Sequence, residues 1–265
     1  MRMRQQTTGR AGITGGGMLA AALLATSLAG PASAQASADP PRWEVGITPF
    51  AWAAGLTGTV GLRDRTADVD VTFRDLLKHL DGALMLGVEA RRGHWGAELD
   101  GIYVKVSAEH GTPGPLFSGA SLDVSQAIVE LTPLYRLLDT RRVAVDVLAG
   151  ARLWSLKNTL TLDAGALPGA TLPLDKHWID PLAGARAFVT LSSHWTLQLR
   201  GDIGGFGAGS RFSSQELAGV AYELSKHWVF RGGYRHLDVD FRQDSDGFIY
   251  DVGMGGPILG AIYRF

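Results

Sequence analysis

A two-residue alternation of apolar and polar side chains runs through most of this sequence and decides what it can fold into. From Trp195 the odd positions read Trp195, Leu197, Leu199, Gly201 and Ile203, and the even ones Thr196, Gln198, Arg200 and Asp202. Side chains alternate across an extended strand, so this segment has one apolar face and one charged face. A half-buried soluble strand reads the same way, so the information lies in the repetition. Ten segments carry the pattern, near residues 43–55, 82–92, 95–107, 121–137, 143–156, 177–190, 195–205, 213–224, 228–241 and 247–265. In the fourth, Ala127, Val129, Leu131 and Tyr135 oppose Gln126, Glu130, Thr132 and Arg136. In the fifth, Val143, Val145, Val147 and Ala149 oppose Asp146 and Arg152, and in the ninth Trp228, Phe230 and Tyr234 oppose Arg231 and Arg235. Only Phe73–Leu80 has helical spacing, with Phe73, Leu76, Leu77 and Leu80 on one face and Arg74, Asp75 and Lys78 opposite.

The connections alternate in length. Short ones fall at Arg91–His94, Leu138–Arg142, Leu191–His194 and Ser225–His227, and longer ones at 57–81, 108–120, 157–176, 206–212 and 242–246. Tight turns at one end and long loops at the other are the pattern of outer-membrane barrels. The expected fold is therefore all-β, a closed antiparallel up-and-down transmembrane β-barrel of ten strands; eight strands with residues 43–81 as a plug, or twelve, are the alternatives. Three short turns run into His94-Trp95, His194-Trp195 and His227-Trp228. With Trp43, these tryptophans would form an aromatic belt at the periplasmic interface, where an indole buries its ring and keeps its N–H near polar groups. A ring of core tryptophans in a soluble barrel is the competing reading. Phe265, Tyr263, Ala261, Leu259 and Pro257 share one face. A terminal aromatic stripe of this kind resembles the signal read by the barrel-assembly machinery, and Tyr263 and Phe265 are its candidate residues.

Residues 1–34 have the form of a cleaved secretory signal. Arg2, Arg4 and Arg10 make a basic start; Met18–Leu28 is apolar but shorter than the ~20 residues of a bilayer-spanning helix; Ala32-Ser33-Ala34 supplies a small-x-small cleavage site. Residues 35–265 would then be a single barrel domain located in the cell outer membrane. Loss of the three arginines leaves 22 basic against 26 acidic residues, which argues against a nucleic-acid partner. The chain has no cysteine, hence no disulfide framework, thiolate metal site or cysteine nucleophile.

If the apolar faces meet lipid, the polar faces point inward. The inward set comprises Glu89, Glu98, Asp100, Glu130, Asp146, Asp180 and Asp202 with Arg136, Arg152, Arg186, Arg200, Arg231 and Arg235. Ten strands enclose a narrow space, and unpaired charge there is costly whereas hydrogen-bonded Arg–carboxylate pairs are tolerated. The expectation is a polar interior filled by interlocking salt bridges. His236, Asp238 and Asp240 share a face and could serve a hydrolase as base and orienting acids. Parity from Trp228 turns them outward above the apolar band, where lipopolysaccharide head groups or cations are the natural contacts. The run Gly204-Gly205-Phe206-Gly207-Ala208-Gly209 imitates a dinucleotide turn, but no helix follows, so it reads as a flexible loop. There is no phosphate loop, no G-x-S-x-G elbow and no His pair at metal spacing, so no catalytic, cofactor-binding or metal residue is assigned.

Three stretches, WIDPLAGAR (Trp178–Arg186), RGDIGGFGAGS (Arg200–Ser210) and GYRHLDVDF (Gly233–Phe241), together resemble a widespread group of proteobacterial outer-membrane β-barrel proteins of unassigned function. The resemblance spans Trp43 to Phe265 and implies fold and location only. The leading expectation is a non-enzymatic structural or accessory outer-membrane protein without cofactors. Its partners would be outer-membrane lipids and lipopolysaccharide, with the assembly machinery during biogenesis. A channel or transporter for small hydrophobic molecules, gated by the 73–80 helix, is the first alternative. An outer-membrane hydrolase or acyltransferase centred on His236 is the second.

Overall fold

The structure, a computed structural model, describes residues 42–63, 65–110 and 116–265. The expected export signal lies outside the described residues. Among these, the chain forms twelve strands and one helix: β1 (Glu44–Trp52), β2 (Gly55–Leu62), β3 (Arg65–Val71), α1 (Phe73–Lys78), β4 (Leu80–Arg92), β5 (Trp95–His110), β6 (Phe117–Asp139), β7 (Val143–Ala164), β8 (Ala170–Thr190), β9 (Trp195–Gly204), β10 (Phe212–Glu223), β11 (Trp228–Gln243) and β12 (Phe248–Arg264). All pairings are antiparallel. β4 to β12 follow one another around the sheet, and β1 closes it by pairing with β4 on one side and β12 on the other. The result is a closed ten-stranded barrel made of β1 and β4–β12, with a hairpin, β2–β3, added at the seam. Closure leaves no free edge around the lower barrel, which a chain without disulfides needs if its sheet is to be self-sufficient.

The hairpin is the one element the sequence pattern missed. β1 and β2 form nearly one strand along β12, because Trp52 opposes Ile258 and Gly55 opposes Gly255 in the same register. The Ala53 N–H donates to the Pro257 carbonyl across the join, 2.9 Å. Gly256 is required there: a Cβ on it would stand 2.0 Å from the Ala53 oxygen. On its other side this long strand changes partner, from β4 below to β3 above. Alternation in β2 is blurred by Gly55, Gly58 and Gly61, so the sequence offers no clean strand signal.

The short-turn end is built three times from one module. His94, His194 and His227 each lie over a tyrosine of the neighbouring strand (Tyr135, Tyr222, Tyr263) with centroids 5.9–6.0 Å apart. The following tryptophans, Trp95, Trp195 and Trp228, meet the same tyrosines at 4.9–5.0 Å. Each histidine carbonyl also accepts a backbone N–H, from Arg136, Glu223 and Arg264 respectively. Trp43 stands apart, its ring under the Arg92 guanidinium. Phe265 donates its N–H to the Val45 carbonyl and sets its ring edge-on to Tyr263, so the last residues lie at the seam with β1.

Outside, every barrel strand carries exposed apolar residues on its outward face, among them Leu84, Leu99, Leu131, Leu153, Ile179, Leu199, Phe230 and Leu259. Above this belt the polarity of the alternation inverts. In β7 the outward series ends at Leu153 and continues as Ser155 and Lys157, while the inward series changes from Asp146 and Arg152 to Trp154 and Leu156. In β11 the outward face passes from Tyr234 to His236, Asp238 and Asp240, and the inward face from Arg235 to Leu237, Val239 and Phe241.

Candidate functional site

The inversion divides the lumen into two layers. The expected uniformly polar interior is corrected here: only the half toward the short turns is polar. The upper half is an apolar core formed by Trp52, Ile102, Ile128, Trp154, Leu156, Trp178, Leu237, Val239, Phe241, Phe248, Tyr250, Val252, Met254 and Ile258, with Phe50. A strand face that looks into a sealed interior above the apolar belt is packed as in a soluble protein, because its back is now turned to water. Trp178 stacks on Phe241 at 4.0 Å and 9° and on Trp154 at 5.5 Å and 11°, so three parallel rings cross the lumen. The Arg235 guanidinium lies 5.0 Å from the Trp52 ring and joins the two layers.

The polar layer holds twelve of the thirteen expected interior residues, together with Arg91 and Gln215. Arg152, fully buried, donates from Nε and Nη2 to Glu130 at 3.0 and 2.8 Å and from Nη2 to Asp202 at 2.6 Å. Arg200 reaches Glu130, Asp202 at 3.0 Å and Glu98 at 3.3 Å. Arg186 bridges Glu89 at 2.6 Å, Glu98 at 3.1 Å and Asp146 at 2.9 Å. Asp146 also receives Arg136 and, at 2.6 Å, Arg91. Arg235 pairs with Asp100 at 3.0 Å and donates to Gln215 at 2.8 Å, and Gln215 in turn donates to Asp202 at 3.0 Å. Multiply bonded guanidinium–carboxylate pairs are the form in which charge is tolerable away from water. Arg231 belongs to this layer but makes no ion pair among the described residues. The sequence reading missed Arg91 because it adjoins the short turn. It missed Gln215 because an amide gives no charge signal, although the parity of β10 would have placed it inward.

Asp180 is the exception. It faces inward opposite Arg152 on β7, yet it forms no ion pair with an arginine. Its Oδ2 accepts the Trp154 indole N–H at 2.9 Å and the Ser210 hydroxyl at 2.7 Å, and Oδ1 accepts the Ser210 backbone N–H at 2.6 Å. The Trp178 indole donates to the same hydroxyl at 2.8 Å. The glycine-rich segment between β9 and β10, read as flexible, is instead held against β8. Gly205 and Gly207 have φ of 84° and 77°, and a Cβ on Gly209 would stand 2.3 Å from the Ile179 oxygen. The resemblance motifs around Trp178–Asp180 and Gly204–Ser210 are thus two halves of one structural clasp.

Beneath the polar layer a vestibule of ≈ 970 Å³ opens among the short turns. Its roof is formed by Glu89, Glu98, Arg186, Arg200, Arg231 and Arg235. The outward trio behaves as parity required. His236 Nε2 lies 2.8 Å from Asp238 Oδ2, Asp240 pairs with Arg242 at 2.8 Å, and these groups remain substantially exposed. Among the described residues, no three His, Asp or Glu side chains are placed so that they could hold one metal ion. The helix expected over 73–80 is α1, capped by the Thr72 hydroxyl, which accepts the Asp75 N–H at 3.3 Å.

No protein-family model matches the chain, and no curated protein does. Several solved structures are similar. The translocator domain of the autotransporter NalP from Neisseria meningitidis is 13% identical, over 84% of this chain and 88% of that one, with a TM-score of 0.42. The transport unit of the autotransporter AIDA-I from Escherichia coli is 10% identical, over 88% and 92%, at 0.43. The toluene transporter TodX of Pseudomonas putida is 13% identical, over 86% and 90%, at 0.32. At such identities and scores none of them lends this chain a function.

Proposed function

We propose that this protein is an integral outer-membrane β-barrel with a closed lumen, serving a structural or accessory role without catalysis. The membrane location draws on the continuous outward apolar belt, far larger than the patches a soluble monomer exposes, ending in tryptophan–tyrosine pairs at the short-turn end. The observation that carries the closed lumen is the stacking of two blocking layers, aromatic rings above and salt bridges below. Above the belt, the outward His236, Asp238, Asp240, Arg242 and Asp251 stand where lipopolysaccharide head groups would lie. Phe265 and Tyr263 are the part read by the assembly machinery. Planar-bilayer recording tests the closed lumen: the purified barrel inserts without steady conductance, and a stable open level of nanosiemens size overturns the reading.

One observation favours a second reading, a lateral route for a small hydrophobic molecule. Among the described residues, the edge of β4 opposite β5 has no strand partner from Leu80 to Met85, since its pairing with β1 ends at Leu86 and Pro49. The Trp52 N–H meets the Met85 sulfur at 3.2 Å instead of a strand carbonyl, and the apolar core lies directly behind. Uptake of a small aromatic hydrocarbon into cells, increased by expression of the barrel and reduced by Met85→Trp, would establish this route.

A further inference from the structure

The polar layer contains one guanidinium more than it has carboxylates. Its six carboxylates, Glu89, Glu98, Asp100, Glu130, Asp146 and Asp202, are all ion-paired, and so are six of its seven arginines. The surplus charge is at one position. Arg231 is turned inward from β11, yet it makes no ion pair or hydrogen bond among the described residues, and its Nε is buried without an acceptor. Its strand neighbours explain the isolation, because the cross-strand positions are Ala221 and Gly260. Gly260 is the space the guanidinium occupies: a Cβ there would lie 3.3 Å from Arg231 Nε and 3.1 Å from the Phe50 Cβ.

An arginine does not lose its proton to escape such a position, so the charge persists and attracts a counter-charge. The open side of Arg231 is the vestibule, which it lines. The charged side chains of the rim balance in number, Arg42, Lys226 and Arg264 against Glu44, Asp139 and Glu223, and of these acids Glu223 pairs with Arg264 and Asp139 with Arg136, so none pairs with Arg231. The cavity, ≈ 970 Å³, is at the upper end of the size range of small-molecule sites.

We propose that the vestibule is a binding site for a small anionic molecule whose carboxylate or phosphate group is held by Arg231. The planar guanidinium fork matches either oxyanion with two parallel hydrogen bonds. The site needs only the folded barrel, so it stands or falls apart from the closed-lumen reading, which is decided by conductance.

The test is a titration of the folded barrel, in detergent micelles, with inorganic phosphate and with acetate. The readouts are calorimetry and the arginine side-chain N–H resonances. Saturable binding that shifts the Arg231 Nε–H resonance is expected. Arg231→Gln should weaken it ~10-fold or more, the equivalent of about 1.4 kcal/mol, and Arg231→Lys should keep part of it. Gly260→Ala leaves the arginine in place but displaces its guanidinium, and serves the same purpose if Arg231→Gln does not fold. Tighter binding of phosphate than acetate assigns the site to a phosphorylated ligand, and the reverse assigns it to a carboxylic one. Absence of saturable binding by the unmodified barrel overturns the proposal, as does equal binding by the unmodified barrel and both variants.

Discussion

Replacing Arg152 by methionine tests whether the polar layer is one interlocked unit. Arg152 is fully buried and supplies three charge-assisted hydrogen bonds, two to Glu130 and one to Asp202. Methionine fills similar volume, so cavity formation contributes little; the main loss is electrostatic. Glu130 keeps Arg200, and Asp202 keeps Arg200 and Gln215, but Arg200 must then serve both carboxylates as well as Glu98. Removing one member of a buried ion pair costs about 3–5 kcal/mol, because the partner is left under-compensated away from water. The expected loss is in that range. It should be read from guanidinium unfolding of the solubilised barrel by tryptophan fluorescence. The double variant Arg152→Met, Glu130→Gln removes the stranded charge and should be less destabilised than the sum of the singles, by ~1–3 kcal/mol of coupling. If Arg152→Met unfolds within about 0.5 kcal/mol of the unmodified protein, as an exposed substitution would, the layer is not a unit and the reasoning fails.

Three further outcomes follow from the same structure. Asp180→Ala strips the Trp154 indole and both Ser210 donors of their acceptor, at ~1–3 kcal/mol for each buried donor left unmade; limited proteolysis should then cut within residues 205–211, and full protection of that segment would refute the clasp. Leu131→Arg puts a charge in the middle of the outward belt and should cost about 2–4 kcal/mol in lipid. Thr132→Val, inward and one residue away, should cost far less, and equal effects in vesicle refolding would count against the membrane reading. The Lys176 ammonium donates to Asp246 and holds its carboxyl below the ordinary range. A depressed folded-state pKa means that the contact stabilises above the unfolded value of ~3.9 and is lost as pH falls through the lowered one. Carboxyl NMR should show Asp246 titrating below that value, and returning to it in Lys176→Met.

What could be read from the sequence was whatever a period of two encodes, and the limits of that reading have physical causes. All ten barrel strands were legible because each must show one apolar face to its surroundings. The turn modules were legible because His-Trp recurs in sequence, although the tyrosines that complete them lie a strand away. The contents of the lumen were only half legible. The inference that polar faces point inward holds as long as the outer face is apolar, and it fails where the strand rises past that boundary. At Leu153–Trp154 in β7 and Tyr234–Arg235 in β11 the alternation continues without a break while its meaning reverses. The inverted signal was present: Ser155, Lys157, Asp238 and Asp240 are polar at positions whose predecessors on the same face are apolar. The same reversal accounts for the extra length of β6, β7 and β8, whose upper parts read as loops because the polar face was no longer the expected one. Asp180 sits at that boundary on the inward side of β8, cross-strand from Arg152 and two residues from Trp178, which opposes Trp154. Arg152, its cross-strand neighbour, is committed to Glu130 and Asp202, and the donors that reach Asp180 are the Trp154 indole from the aromatic layer and the N–H and hydroxyl of Ser210.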